Sequence, residues 1–98
     1  MTLRYTKRAL TDLDRILSYT AQHSPQGAAN VRARLDAILQ SLEIHPRSGR
    51  TTDRPNVRMR ILGDYPYLIF YGVDLQNGDV TVLLVGHTAK REDWSEGR

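Results

Sequence analysis

Residues 57–73 read VRMRILGDYPYLIFYGV, and the alternation in this stretch decides the class of fold. Val57, Met59 and Ile61 alternate with Arg58 and Arg60, the two-residue period of a half-buried strand with one polar face. Gly63 and Asp64 then permit a tight turn, and Tyr67 to Val73 comes next as a second strand. There Tyr67, Ile69 and Tyr71 fall on one face and Leu68, Phe70 and Gly72 on the other. Both faces are largely apolar, as expected of a strand lying between two others and covered on both sides. The crowding of Tyr65, Tyr67, Phe70 and Tyr71 also raises the question of a stacking platform for bases. Such platforms pair aromatic rings with cations on the same face, whereas here the cations lie in the neighbouring strand, so the buried strand is preferred.

Downstream, Gln76-Asn77-Gly78-Asp79 is a turn signal, and VTVLLV from Val80 to Val85 is apolar on both faces. Three strands joined by short turns make a meander. Upstream the period is helical. Leu3 to Tyr5 is a short strand, and Thr6 caps a helix from about Lys7 to Ala21, with Leu10, Leu13, Ile16, Leu17 and Ala21 on its apolar face. Arg8, Asp12, Arg15 and Gln22 are assigned to its solvent face. Ser24-Pro25 restarts a helix, serine capping free N–H groups and proline having none to leave unpaired. Ala28, Val31, Leu35, Ile38 and Leu42 form its stripe, Pro46 ends it, and the chain to Asn56 reads as a loop. A connector of about three residues makes the two helices an antiparallel hairpin. The expected fold is α+β in the order β-α-α-β-β-β, with the hairpin covering one face of the sheet.

Ninety-eight residues make a single domain spanning positions 1–98, and 40% hydrophobic against 26% charged residues argues against disorder along the whole length. With no cysteine there is no disulfide framework, no thiolate zinc site and no cysteine nucleophile. Neither a signal peptide nor a long apolar run is present, which implies a soluble, cytoplasmic protein without a membrane partner. No glycine-rich phosphate loop or paired-carboxylate site occurs, and His23, His45 and His87 are too scattered to bind a metal, so no cofactor is expected.

A net charge of +3 favours an acidic partner, and its densest source is Arg50, Arg54, Arg58 and Arg60 against the single acid Asp53. Arg58 and Arg60 share one strand face, either as a solvated surface or as forks for the carboxylates of a partner. Lys90, Arg91 and Trp94 lie in a polar tail, where the tryptophan either packs back on the body or anchors an interface. His87, at a strand end, either hydrogen-bonds a neighbour or acts as a general acid or base.

The segments YTKRALTDLDRILSYTAQHSP, SLEIHPRSGR, VRMRILGDYPYLIFYGVD and VTVLLVGHTAK, in this order and spacing, resemble the RelE/ParE superfamily of bacterial type II toxins, and more closely its ParE-like, plasmid-stabilisation branch. The resemblance covers nearly the whole chain. It implies the toxin of an operon pair, neutralised in a hetero-oligomer by a small antitoxin, with operator DNA reached only through that antitoxin.

Two activities share the superfamily fold: RelE-like members cleave messenger RNA on the ribosome, and ParE-like members poison DNA gyrase. Ribonuclease members often carry an arginine where this chain has Leu68, and a tyrosine close to the C-terminal catalytic residue, whereas here Thr88, Ala89 and Lys90 come after His87. The resemblance therefore favours a gyrase poison that is not itself an enzyme, with Arg50, Arg54, Arg58, Arg60, Lys90, Arg91 and Trp94 contacting partners. The alternatives are a ribosome-dependent endoribonuclease using Arg58, Arg60 and His87, and a degenerate toxin that only binds its antitoxin.

Overall fold

The computed structural model describes residues 3–63, 65–74 and 76–88. The elements run β1 (Leu3–Tyr5), α1 (Lys7–His23), α2 (Pro25–Ile44), β2 (Arg50–Thr51), β3 (Val57–Ile61), β4 (Tyr67–Val73) and β5 (Val80–His87). The strands form one sheet in the order β1-β5-β4-β3-β2, parallel between β1 and β5 and antiparallel elsewhere. This is the expected α+β arrangement with one strand added. Arg50–Thr51, read as loop, pairs with Met59 and Arg58 as a two-residue edge strand too short to show a period of its own.

The caps are as read. Thr6 accepts the Ala9 N–H at 3.0 Å and Ser24 accepts that of Gly27 at 2.9 Å, with Pro25 opening α2. The connector is shorter than expected, because Ser24 alone separates the helices and serves as C-cap to one and N-cap to the other.

The helices cover one face of the sheet. Val31, Leu35, Ile38, Leu39 and Leu42 of α2 and Ala9 of α1 form one core with Ile69, Tyr71, Val73, Val80, Val82 and Val85. Met59, Leu68, Phe70 and Leu84 make a second, smaller cluster on the opposite face. Central β4 therefore feeds both cores, as its two apolar faces predict. In β5 the alternation breaks: Phe70 pairs with Leu84 and Tyr71 with Val82, leaving Leu83 as the extra residue of a bulge. The bulge puts Leu84 on the far face and returns Val85 to the helical one, which is why VTVLLV has no period.

Three assignments on α1 are corrected. Leu10, expected in the core, is 54% exposed, and Asp12, expected in solvent, is 8% exposed. Ala21 is exposed as well. The cause is where β1 stops. After Tyr5 pairs with Val82, β5 has no further strand partner on that side among the described residues, and its next backbone groups need partners. The Thr6 hydroxyl donates to the Leu83 carbonyl at 2.7 Å, and the Asp12 carboxylate accepts the Val85 N–H at 3.1 Å. The buried face of α1 is thus turned toward Ala9 and Asp12, and Leu10 is carried outward.

Three connections carry left-handed backbone, the one between β3 and β4 at Gly63 with φ 68°. Asn56 has φ 60° and its carbonyl accepts the Val73 N–H at 2.8 Å, while Gly78 has φ 74° in the loop before β5. There the Asp74 carboxylate accepts the Gln76 and Asn77 N–H groups, which hold its pKa below the ordinary carboxylate value.

Candidate functional site

The basic segment folds into a cleft at the β2–β3 edge. Pro46 prevents α2 from continuing, and Thr52 organises the turn into β3, accepting the Arg54 N–H at 3.1 Å and donating to the Val57 carbonyl at 3.0 Å. The result is a cleft of about 350 Å³ lined by Arg47, Arg54 and Arg58 together with Thr51, Thr52 and Asn56. Three guanidinium groups and two hydroxyls suit a carboxylate- or phosphate-bearing partner.

Beneath it lies a latch. The Gly49 N–H donates to the Tyr71 hydroxyl at 2.8 Å across the sheet. Arg58 Nη1 donates to the Gly49 carbonyl at 2.9 Å and the Arg47 carbonyl at 3.2 Å, and Arg60 Nη1 donates to Ser48 Oγ at 2.8 Å. Any Cβ at Gly49 would run into the Tyr71 hydroxyl and the Met59 carbonyl oxygen, so only glycine fits. Burial pushes the Tyr71 pKa up, opposed by the Gly49 hydrogen bond and by the nearby Arg58 and Arg60. Tyr71 is therefore a neutral phenol at physiological pH, tying the 47–50 segment to the core.

The predicted cations are placed unequally. Arg54 and Arg58 come together in the cleft, where they are joined by Arg47, which sequence reasoning passed over although it sits in the same arginine-rich run. Arg60 is directed to Ser48 instead. Arg50, exposed on the edge strand, pairs in register with Met59 and so belongs to the sheet face opposite that of Arg58. Lys90, Arg91 and Trp94 lie outside the described residues.

His87 is not brought to Arg58. It ends β5 directly opposite Tyr67, with the two rings edge-to-face at 5.7 Å between centroids. Both line a second cleft, of about 280 Å³, with Arg8, Asp12 and Arg15 of α1. A tyrosine therefore does stand beside the histidine, supplied by the neighbouring strand rather than by the residues after His87, a proximity that only the β4–β5 register reveals. Leu68 is wholly buried in the cluster of Met59, Phe70 and Leu84. Among the described residues no three His, Asp or Glu side chains gather as a metal would require, and no helix is long and apolar enough to cross a membrane.

Known proteins share both the sequence pattern and the fold. The sequence profile of the ParE toxin of type II toxin–antitoxin systems, parDE, matches residues 3–92. A protein of Sinorhizobium fredii named Putative toxin Y4kP is 35% identical over 94 residues, covering 96% of this chain and 93% of that protein. Among solved structures, a chain of the chromosomal ParDE TA system from P. aeruginosa superposes with a TM-score of 0.72 at 23% identity, covering 89% of this chain and 95% of that one. The isolated E. coli RelE toxin superposes with a TM-score of 0.69 at 21% identity, covering 94% and 87%. The structural likenesses establish the fold, which ParE and RelE toxins share; the profile decides between the branches, and this chain belongs to the ParE toxin family of type II toxin–antitoxin systems.

Proposed function

We propose that the chain arrests growth by binding DNA gyrase and trapping its DNA-bound intermediate, without catalysis of its own, and that a cognate antitoxin neutralises it in the cytoplasm. The observation that carries this reading is Leu68. It is 0% exposed and packed among Met59, Phe70 and Leu84, at the position where the ribonuclease relatives it resembles often hold an arginine. A guanidinium there would be buried in an apolar cluster, so the position is built for packing and not for holding a scissile phosphate. Arg58 and Arg60 support the same reading, since both donate to the 47–49 segment. Purified protein should inhibit gyrase supercoiling or accumulate cleaved DNA; unchanged supercoiling at a large excess over gyrase would sink the proposal.

One observation favours the ribosome-dependent ribonuclease instead, namely Tyr67 beside His87, a candidate pair for proton transfer. Primer extension on translated messages after induction checks this second reading, which requires cuts within codons that His87→Ala abolishes.

For the antitoxin, we assign the apolar groove between β1 and the helical hairpin. Tyr5, Leu10, Leu13, Leu17, Leu35 and Leu39 line a space of about 260 Å³. Its rim carries Leu10, 54% exposed, and Tyr5, 37% exposed. An amphipathic antitoxin segment that folds on binding would cover them, with Arg47 and Arg54 taking acidic side chains at the far edge. Leu10→Asp should weaken antitoxin binding at least tenfold in a calorimetric titration while leaving the melting temperature of the free toxin nearly unchanged.

A further inference from the structure

The cleft between α1 and the ends of β4 and β5 is used neither by the gyrase reading nor by the antitoxin groove. We infer that it is a binding site for one phosphate-bearing nucleotide unit of a single-stranded nucleic acid, held between the Tyr67–His87 ring pair and the guanidinium groups of Arg8 and Arg15. The inference goes beyond the proposed function and stands whichever target the toxin has.

Four observations lead there. First, the cations are on the same side of the sheet as the rings. By sequence the nearest cations lay in the neighbouring strand; in the fold, α1 crosses β5 and brings Arg8 and Arg15, two turns of helix apart, to the wall facing Tyr67 and His87. Aromatic rings beside cations are the device by which single strands are gripped, the bases stacking and the phosphates pairing. Second, Asp12, the one acid among the described residues of the cleft, is engaged with the protein: its Oδ2 accepts the Val85 N–H at 3.1 Å and lies 3.6 Å from Arg8 Nε. Third, the walls offer guanidinium, phenol and imidazole groups, all able to donate to phosphate oxygens. Fourth, about 280 Å³ falls just below the range of drug-sized ligand sites, enough for a single nucleotide unit and not for a duplex. A carboxylate of a protein partner would use the arginines but leave the ring pair without a role.

The test is fluorescence anisotropy of the full chain with labelled oligothymidylate and oligouridylate of about ten nucleotides, over a series of salt concentrations. Adenosine monophosphate and a glutamate peptide of matched charge serve as competitors. Tyr67→Ala should weaken binding about tenfold through lost stacking. Because Tyr67 also packs on the core, Arg15→Gln on the exposed helix surface provides an independent reading. It should weaken binding and lower the slope of log affinity against log salt by about 0.7, the loss of one single-strand phosphate contact. Arg32→Gln, on α2 and 68% exposed, removes the same charge elsewhere and should change neither. Preference for one oligonucleotide identifies DNA or RNA as the source, and full competition by the mononucleotide identifies the free nucleotide. Equal losses from Arg15→Gln and Arg32→Gln would reduce the effect to net charge and overturn the site. So would displacement by the glutamate peptide as effective as by unlabelled oligonucleotide, or no binding at low salt.

Discussion

The two edges of the sheet face the same problem and solve it with opposite chemistry. On the β1 side, β1 ends early, and α1 covers the exposed backbone of β5 with Thr6 and the buried carboxylate of Asp12. On the β2 side, the partner strand is two residues long, and the sheet itself reaches out with the Tyr71 phenol, Arg58 and Arg60 to hold the 47–50 segment. At the first edge an acid accepts from a backbone N–H; at the second, Arg58 donates to two backbone carbonyls, Arg60 to the Ser48 hydroxyl, and the neutral Tyr71 phenol accepts the Gly49 N–H. Asp12, Arg58 and Arg60 are polar residues that each hold the backbone or a loop of the chain itself, so their presence in the sequence measures how the sheet is finished before it measures what the protein binds.

Substitutions can break this symmetry, and the largest effect is expected at Gly49. Gly49→Ala drives a methyl group into Tyr71 and Met59 and should cost about 3 kcal/mol, the upper part of the range for overpacking. For a domain of this size that lowers the melting temperature by more than about 10 °C in calorimetry. At the opposite edge, Asp12→Ala leaves the Val85 N–H buried without an acceptor, at about 2 kcal/mol, whereas Asp12→Asn keeps an acceptor and should recover part of the loss in urea unfolding. Tyr71→Phe removes the acceptor for Gly49 at about 1 kcal/mol. It also changes the response to alkali. The native phenol has its pKa raised above the ordinary tyrosine value of 10.0, so its contribution is complete below pH 10 and is lost as pH rises through the native pKa. The phenylalanine variant should therefore show a shallower fall in stability above pH 10. Smallest is Arg58→Lys, which keeps the charge but loses the planar, rigidly placed Nη1 that donates to both carbonyls; less than about 1 kcal/mol is expected, with faster amide exchange in the 47–51 segment than in the wild type.

The range of each interaction determines whether the sequence disclosed it. Thr6, Ser24 and Pro25 announce the helix starts because a cap acts within three residues. Tyr67 to Val73 announces a central strand because burial on both faces leaves only apolar side chains. Asp12 could not be read, since its role depends on β1 stopping at Tyr5, a fact of tertiary pairing. The bulge at Leu83 shifts the phase of β5 without a glycine or proline to mark it. The site divides in the same way. The clustering of Arg54 and Arg58 was visible as a run of arginines, but the addition of Arg47, the engagement of Arg60 by Ser48 and the meeting of His87 with Tyr67 and two helix arginines each depend on how distant segments pack.

The central claim, a ParE toxin that traps gyrase without using the His87 cleft for catalysis, is tested most directly by one paired measurement. Purified wild-type protein and His87→Ala are each incubated with gyrase and plasmid, the reactions are stopped with detergent and protease, and cleaved DNA is measured, with a parallel translation reaction scored for cuts in the message. The account predicts that both proteins accumulate cleaved plasmid and that neither cuts the message. Intact plasmid with both proteins, together with codon cuts made by the wild type and lost in His87→Ala, would contradict it.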